Sequence, residues 1–147
     1  MGNICRSAAA EAVMKKMIDN KGLSKEYFID SAGTINNHQG KKADKRMIEH
    51  AYKRSYNITS ISRQIKEEDF NIFDLIIVMD EDNYSDIRCF CPEEKLMEKV
   101  VYISDYFREH NDKIVPDPYY GAEEGFEYVL DLLEYGCQEL LLELIKK

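Results

Sequence analysis

Apolar and polar positions alternate between two periods along the 147 residues. From Ser7 to Asn20 the period is helical: Ala8 to Ala10 and Ala12 favour helix, and Val13, Met17 and Ile18 make one apolar stripe. Ser7 is placed to cap that helix, and Gly22 to end it. Tyr27 to Asp30 reads as a short strand, followed by a turn at Ser31-Ala32-Gly33-Thr34. The spacing then predicts a second helix from Asp44 to Tyr56, with Met47, Ile48, Ala51 and Tyr52 facing inward. Between Asp74 and Asp80 lies a continuous apolar run bounded by acids, the pattern of a strand buried on both faces of a parallel sheet. Val100 to Ile103 repeats it more weakly. From Glu123 one long helix is expected, its core stripe carried by Phe126, Val129, Leu130, Leu133, Cys137, Leu140, Leu141 and Leu144. Strands alternating with helices predict an α/β fold with a mostly parallel sheet, and the length suits a single domain over residues 1–147.

Composition narrows the functional classes. No apolar run approaches the roughly 20 residues that span a bilayer, so no membrane role is expected. The first residues lack the apolar segment of a secretion signal. Cys5, Cys89, Cys91 and Cys137 show no paired framework, which suits reduced thiols and a cytoplasmic setting. A net charge of −8 argues against nucleic acid as a partner. The charge is unevenly spread, however. Residues 41–66 carry eight basic and two acidic groups, among them Lys41, Lys42, Lys45, Arg46, Lys53, Arg54, Arg63 and Lys66. That stretch is either a solvated helix face or a local positive field that steers an anionic substrate.

Two short segments hold the chemistry. A phosphate monoester is dianionic and is best held by inward-pointing N–H groups, a helix N-terminus and a planar cation. Gly2-Asn3-Ile4-Cys5-Arg6-Ser7 stands just ahead of the first helix with that composition. Gly2 permits a tight turn. Asn3 can hold the loop through side-chain bonds to its own backbone. Ile4 and Cys5 offer N–H groups, and Arg6 offers a bidentate fork that Lys could not replace. The hydroxyl of Ser7 is placed to stabilise a thiolate. The same residues also suit a plain helix cap. Further on, Asp117-Pro118-Tyr119-Tyr120-Gly121 is at least a proline turn before the last helix. It also suits a loop that presents Asp117 as a general acid, with Tyr119 and Tyr120 as an aromatic wall for a substrate ring.

Gly2 to Ser7 resembles the second half of the active-site loop Cys-x-Gly-Asn-x-Cys-Arg-Ser of the low-molecular-weight protein-tyrosine phosphatases. The Asp117–Gly121 segment resembles that family's acid loop. Ser31-Ala32-Gly33-Thr34, His38-x-Gly40, Arg63-Gln64, Glu68-Asp69-Phe70, Phe73-Asp74 and Met79-Asp80 follow the family's order, so the resemblance covers essentially the whole chain. It implies a three-layer α/β fold with a four-stranded sheet ordered 2-1-3-4. It implies a phosphatase without metal or cofactor that acts on phosphotyrosine proteins or small aryl phosphates through a cysteinyl-phosphate. By the same resemblance Arg6 binds phosphate, Asp117 donates the proton, and Asn3, Ser7 and Ser31 support the loop.

In the family's loop the nucleophilic cysteine lies six positions before the arginine, which puts it just ahead of Met1. The first strand and its nucleophile are therefore expected to lie outside residues 1–147. Strands at 27–30 and 75–79 would lack their shared neighbour, and the chain as written would be inactive. Cys5 matches a second loop cysteine that in the family can form a protective disulfide with the nucleophile. It cannot itself replace the nucleophile, because a single peptide separates it from Arg6. Departures from the pattern are Ala8 in place of Pro, Asn37 near where some members carry Trp, and Lys45 within the usual Asp-Pro-Arg.

Three other readings compete. A phosphotyrosine-binding pseudo-phosphatase would keep the loop without turnover. Arsenate reductases share the fold but need a shuttle cysteine near Asp80. Phosphoarginine phosphatases usually carry Thr where Ile4 stands. Zinc at Cys89 and Cys91 would need two further ligands, and His110 is the one candidate near in sequence.

Overall fold

The apolar run ahead of Asp80 forms β1 (Ile76–Val78), which pairs in parallel with β2 (Val100–Tyr102), Ile76 opposite Val100 and Val78 opposite Tyr102. A computed structural model describes residues 2–107, 114–118 and 123–146, with the backbone alone at Glu123. The two-residue period of β1 sorts its side chains between two cores. Leu75, Ile77 and Met79 join a core built with α1 (Arg6–Asn20), α2 (Lys45–Lys53) and α5 (Glu123–Lys146). Ile76 and Val78 join a second core with Phe70 of α3 (Asp69–Ile72), Ile87 of α4 (Glu81–Arg88) and Met97 of a 3₁₀ segment at Glu94–Lys99. Helices thus cover both faces of the parallel sheet, giving the α/β layering that the alternation predicts.

The long helix α5 spans its expected range, and Phe126, Val129, Leu130, Leu133, Cys137, Leu140 and Leu141 are all buried. Elsewhere the elements are shorter or differently seated than the sequence suggests. Helix α1 begins at Arg6, with Cys5 at its N-cap, so Ser7 lies within the first turn and does not cap. Helix α2 ends at Lys53; Asp44 caps it by accepting a hydrogen bond from the Arg46 N–H. Its Tyr52 points outward, 73 % exposed, because Met47 and Ala51 alone fill the contact with the core.

The largest difference concerns Tyr27 to Asp30. The segment alternates as a strand does: Tyr27 and Ile29 pack against the first core while Phe28 is exposed. Yet it forms no ladder, and among the described residues the sheet has two strands rather than the family's four. A strand is stabilised by its neighbour's N–H and C=O groups, and no described segment forms a ladder with this one. Its side chains are anchored, Asp30 by Arg63 and Phe28 by Phe73, and the backbone is bridged further on, where Gly33 and Gln64 form an isolated parallel bridge.

Candidate active site

The first turn of α1 leaves its amides without a cap. Cys5 makes no side-chain bond at the helix start, and the first backbone bond of the helix runs from the Ala9 N–H to the Cys5 carbonyl. The N–H groups ahead of Ala9 and the positive end of the helix dipole therefore face the loop formed by residues 2–5. This is an anion-binding geometry.

Asn3 builds the loop's shape. Its backbone is left-handed at φ 63°, a conformation that Asn tolerates better than most residues. The sequence suggests side-chain bonds to the loop's own backbone, but the bonds go elsewhere. Nδ2 of Asn3 donates to Ser7 Oγ at 2.8 Å and to Ser31 Oγ at 3.0 Å. Oδ1 accepts from the Arg63 N–H at 3.2 Å. The chain of bonds continues inward, since Ser31 Oγ donates to Glu11 Oε1 at 2.5 Å. Glu11 is itself buried and is neutralised by Lys15 at 2.7 Å. Two backbone anchors complete the loop: Ser62 Oγ donates to the Gly2 carbonyl at 2.5 Å, and the Asp44 N–H donates to the Ile4 carbonyl at 2.8 Å. Gly2 is required by a close approach, for an added Cβ would come within 2.6 Å of the His38 ring.

Arg6 is buried at the centre of this arrangement. Its Nη1 donates to Asp80 Oδ2 at 2.5 Å and to the Val115 carbonyl at 2.7 Å. Its Nη2 lies 4.0 Å from Asp117 Oδ2. Burial works against ionisation of Asp80, but hydrogen bonds from Arg6 and from the Asn83 N–H outweigh it and hold the carboxyl below its ordinary range. The guanidinium is thus fixed between one firmly ionised carboxylate and a second on a surface loop.

Cys5 behaves as an inert thiol. Burial, then the charges of Asp44 and Asp117, push its pKa up to about 12. Cys137, fully enclosed, is raised in the same way by burial. Neither is a thiolate at neutral pH, and no reactive sulfur stands opposite Arg6 among the described residues.

Of the residues singled out from sequence, Gly2, Asn3, Ile4, Cys5, Arg6, Ser7, Ser31 and Asp117 all line one cavity of about 630 Å³. Tyr119, Tyr120 and His110 lie outside the described residues. Cys89 and Cys91 are remote from the cavity; their thiols lie against the carbonyls of Ser85 and Glu93. The basic stretch is largely neutralised locally. Arg46 pairs with Asp44, Arg54 with Glu127, Asp131 and Glu134, and Arg63 with Asp30 and Asp69. Lys41, Lys42 and Lys45 are left on the surface, so the steering field is weaker than the sequence count implies.

Comparison with known proteins gives the arrangement its lineage. The family model of low molecular weight phosphotyrosine protein phosphatases matches residues 1–147. The chain belongs to that family. A protein of Synechocystis sp., provisionally named a low molecular weight protein-tyrosine-phosphatase, is 48 % identical over 147 residues, covering 100 % of this chain and 94 % of the relative. Low molecular weight phosphotyrosine protein phosphatase 1 of Drosophila melanogaster is 38 % identical, over 100 % of this chain and 94 % of its own length. Among solved structures, the protein tyrosine phosphatase of Entamoeba histolytica with Hepes in its active site superposes with a TM-score of 0.95 at 46 % identity. That match covers 99 % of this chain and 93 % of the other.

The phosphatase loop also depends on residues that sequence reading passed over. Asp80 was legible as the acid that ends a buried strand and as part of Met79-Asp80, but not as a partner of Arg6; strand ends are where α/β sheets tend to put ligand-binding groups. Glu11 had a fainter signal, an acid four residues after Ser7 and four before Lys15 on an otherwise small, apolar helix face. Ser62 carried none.

Proposed function

We propose that this chain supplies the phosphate-binding loop and the proton-transfer group of a protein-tyrosine phosphatase that works through a cysteinyl-phosphate, with no metal or cofactor in the reaction. The observation that carries the reading is the position of Arg6, buried at an uncapped helix N-terminus and 4.0 Å from a loop carboxylate. The amides of the loop and of the first turn bind the phosphoryl oxygens, and the Arg6 fork holds two of them. Asn3, Ser7, Ser31 and Glu11 hold the loop so that these donors need not rearrange.

The reaction has two steps. A thiolate attacks phosphorus in line, forming an S–P bond as the bond from phosphorus to the aryl oxygen breaks. Asp117, protonated, gives its proton to the departing oxygen. Asp117, now a carboxylate, takes a proton from a water molecule whose oxygen bonds to phosphorus. The S–P bond then breaks with its electron pair returning to sulfur, and inorganic phosphate leaves. Tyr119 and Tyr120 are assigned to the substrate ring, which favours phosphotyrosine proteins and small aryl phosphates.

The sulfur belongs at the position one residue ahead of Met1 in the family's loop. Cys5 does not fill that place, being buried, protonated and adjacent in sequence to Arg6. On this reading the 147-residue chain alone binds phosphate without turning over aryl phosphate. The same chain extended at its N-terminus by a short apolar strand ending in cysteine hydrolyses it. Steady-state assay of both proteins with 4-nitrophenyl phosphate tests the reading. Turnover by the unextended chain, or none by the extended one, refutes it. The four free cysteines, one of them exposed, fit a reducing cytoplasmic setting.

A further inference from the structure

The phosphate loop is held on one side by an arc of chain that also carries charge. The arc begins in the cavity, where Asn37 and His38 form part of the wall and the His38 ring lies against Gly2. It ends on the loop itself, where the Asp44 N–H donates to the Ile4 carbonyl at 2.8 Å. Between these points Ser62 ties arc and loop together. Its N–H donates to the Lys41 carbonyl at 2.8 Å, its carbonyl accepts from the Gly40 N–H at 2.8 Å, and its hydroxyl donates to the Gly2 carbonyl at 2.5 Å. Residues 38–44 are therefore a fixed rim of the anion site.

Lys41 and Lys42 stand on that rim and Lys45 directly follows it; all three are exposed. Among the described residues no ion pair or hydrogen bond occupies their ammonium groups. The arginines of the same stretch differ, since Arg46, Arg54 and Arg63 are each bound by carboxylates. The acid within the rim, Asp44, is taken by Arg46. Lys42 also has an apolar companion. It faces Ile61 in an isolated antiparallel bridge, and Ile61 is 51 % exposed. Side chains directly opposite across such a bridge lie on one face, so the ammonium stands beside an uncovered isoleucine.

These features select a ligand. Three cations within five residues call for anionic groups. A nucleic acid would bring a long run of phosphates to a protein of net charge −8, and its backbone offers nothing to Ile61. An acidic peptide brings a few carboxylates, and its aliphatic stems cover the isoleucine. We infer that Lys41, Lys42 and Lys45, with Ile61, form a docking subsite for acidic residues that flank the phosphotyrosine, so that acidic phosphotyrosine segments are the preferred substrates. The inference rests on the phosphatase reading for the phosphoryl group that the loop holds. Rim charges act on encounter and selectivity rather than on the reacting atoms. The subsite should therefore appear in kcat/KM for peptides and be silent toward a small aryl ester.

The test uses four labelled peptides with a central tyrosine. Three carry phosphotyrosine between glutamates, between alanines or between lysines; the fourth carries unphosphorylated tyrosine between glutamates. Binding to the 147-residue chain is read by anisotropy at low ionic strength. The triple variant Lys41→Gln, Lys42→Gln, Lys45→Gln is compared with a control that replaces three exposed lysines at or beyond the far ends of α1 and α5, Lys21, Lys25 and Lys146. The glutamate phosphopeptide is expected to bind about tenfold more tightly than the alanine one, and the lysine one more weakly still. That margin should vanish in the rim variant and in about 0.5 M salt, but persist in the control. In the strand-extended protein, kcat/KM for the glutamate phosphopeptide should fall in the rim variant by the same ratio, with 4-nitrophenyl phosphate unchanged.

Equal binding of the glutamate and alanine phosphopeptides overturns the inference, as does a margin that the rim variant keeps or the control loses. Failure of every peptide to bind does the same. Tighter competition by a single-stranded oligonucleotide than by the glutamate peptide would assign the rim to nucleic acid and overturn it too. If glutamate peptides bind through the three lysines with or without phosphate, and the strand-extended protein turns over no ester, the subsite stands and the phosphatase reading falls. If 4-nitrophenyl phosphate is hydrolysed but no margin is seen, the phosphatase reading stands and the subsite falls.

Discussion

Nη1 of Arg6 donates to Asp80 Oδ2 across 74 residues of sequence, and among the described residues no other carboxylate is so closely placed on the buried guanidinium. Helix α1 and strand β1 are thereby locked at the end where the phosphate loop sits. Breaking one half of a buried pair leaves the other charge uncompensated, which typically costs about 3–5 kcal/mol. Asp80→Ala is therefore expected to lower the stability of the strand-extended protein by about 3 kcal/mol at neutral pH, read from urea midpoints. The sign with pH follows from the direction of the shift. Asp80 is held below its unfolded value, so its contribution is present above the ordinary aspartate range and is lost as pH falls through the folded value. The gap between wild type and variant should close only as the pH is taken well below the unfolded value of about 3.9, through the lower folded value. A gap that stays constant from pH 7 downward would show that Asp80 acts through packing alone.

Asn3 is both strained and bonded, and the two contributions can be separated. Replacement by Gly keeps φ 63° without cost but removes the bonds to Ser7, Ser31 and the Arg63 N–H. Replacement by Ala removes the same bonds and adds the penalty of a left-handed β-carbon, roughly 1–2 kcal/mol. Asn3→Ala should thus be less stable than Asn3→Gly by about 1 kcal/mol, and both should bind inorganic phosphate more weakly than wild type. Equal midpoints for the two variants would mean that the loop relaxes out of the left-handed region once Asn is gone.

Cys5 offers a chemical test of its protonation. With its pKa pushed up to about 12 by burial and by Asp44 and Asp117, it should resist iodoacetamide at pH 7.5, while exposed Cys89 is modified. Site-resolved mass spectrometry over a time course reads both. Rapid labelling of Cys5 in the folded chain would show that the loop opens, and would reopen the question of which sulfur reacts.

Much of this architecture could be read in the sequence because its signals are local. The apolar stripe of α5 and the acid-bounded run of β1 each state their own burial, and both appear where expected. Three kinds of feature escaped. Helix α4 is polar along most of its length and is announced only by Asp80, which caps it through the Asn83 N–H. Tyr52 fits a helical stripe by spacing, yet α2 is short and its contact with the core is filled by Met47 and Ala51. Tyr27–Asp30 has the alternation of a strand but no ladder partner among the described residues, and pairing is not a property a segment holds alone. At the candidate site, Gly2 to Ser7 pointed to the proposed anion loop, but the residues that hold that loop, Glu11, Ser62 and Asp80, come from places with no shared local pattern. Only the folded chain brings them to the loop.

Asp117 can act in two ways that kinetics distinguish. At 4.0 Å from Arg6 it could merely help to hold the guanidinium, or it could transfer a proton to the leaving group. A holding role affects every substrate alike, because all share the phosphoryl group that Arg6 is proposed to bind, and it should appear mainly in KM. A proton-donor role depends on the leaving group, since a strongly acidic phenol departs unaided while an ordinary phenol does not. In the strand-extended protein, Asp117→Asn is expected to lower kcat for phenyl phosphate by about 10²–10³. The loss should be far smaller for a dinitrophenyl ester. Equal losses with both esters, carried in KM, would assign Asp117 to positioning Arg6 and leave the proton to another group.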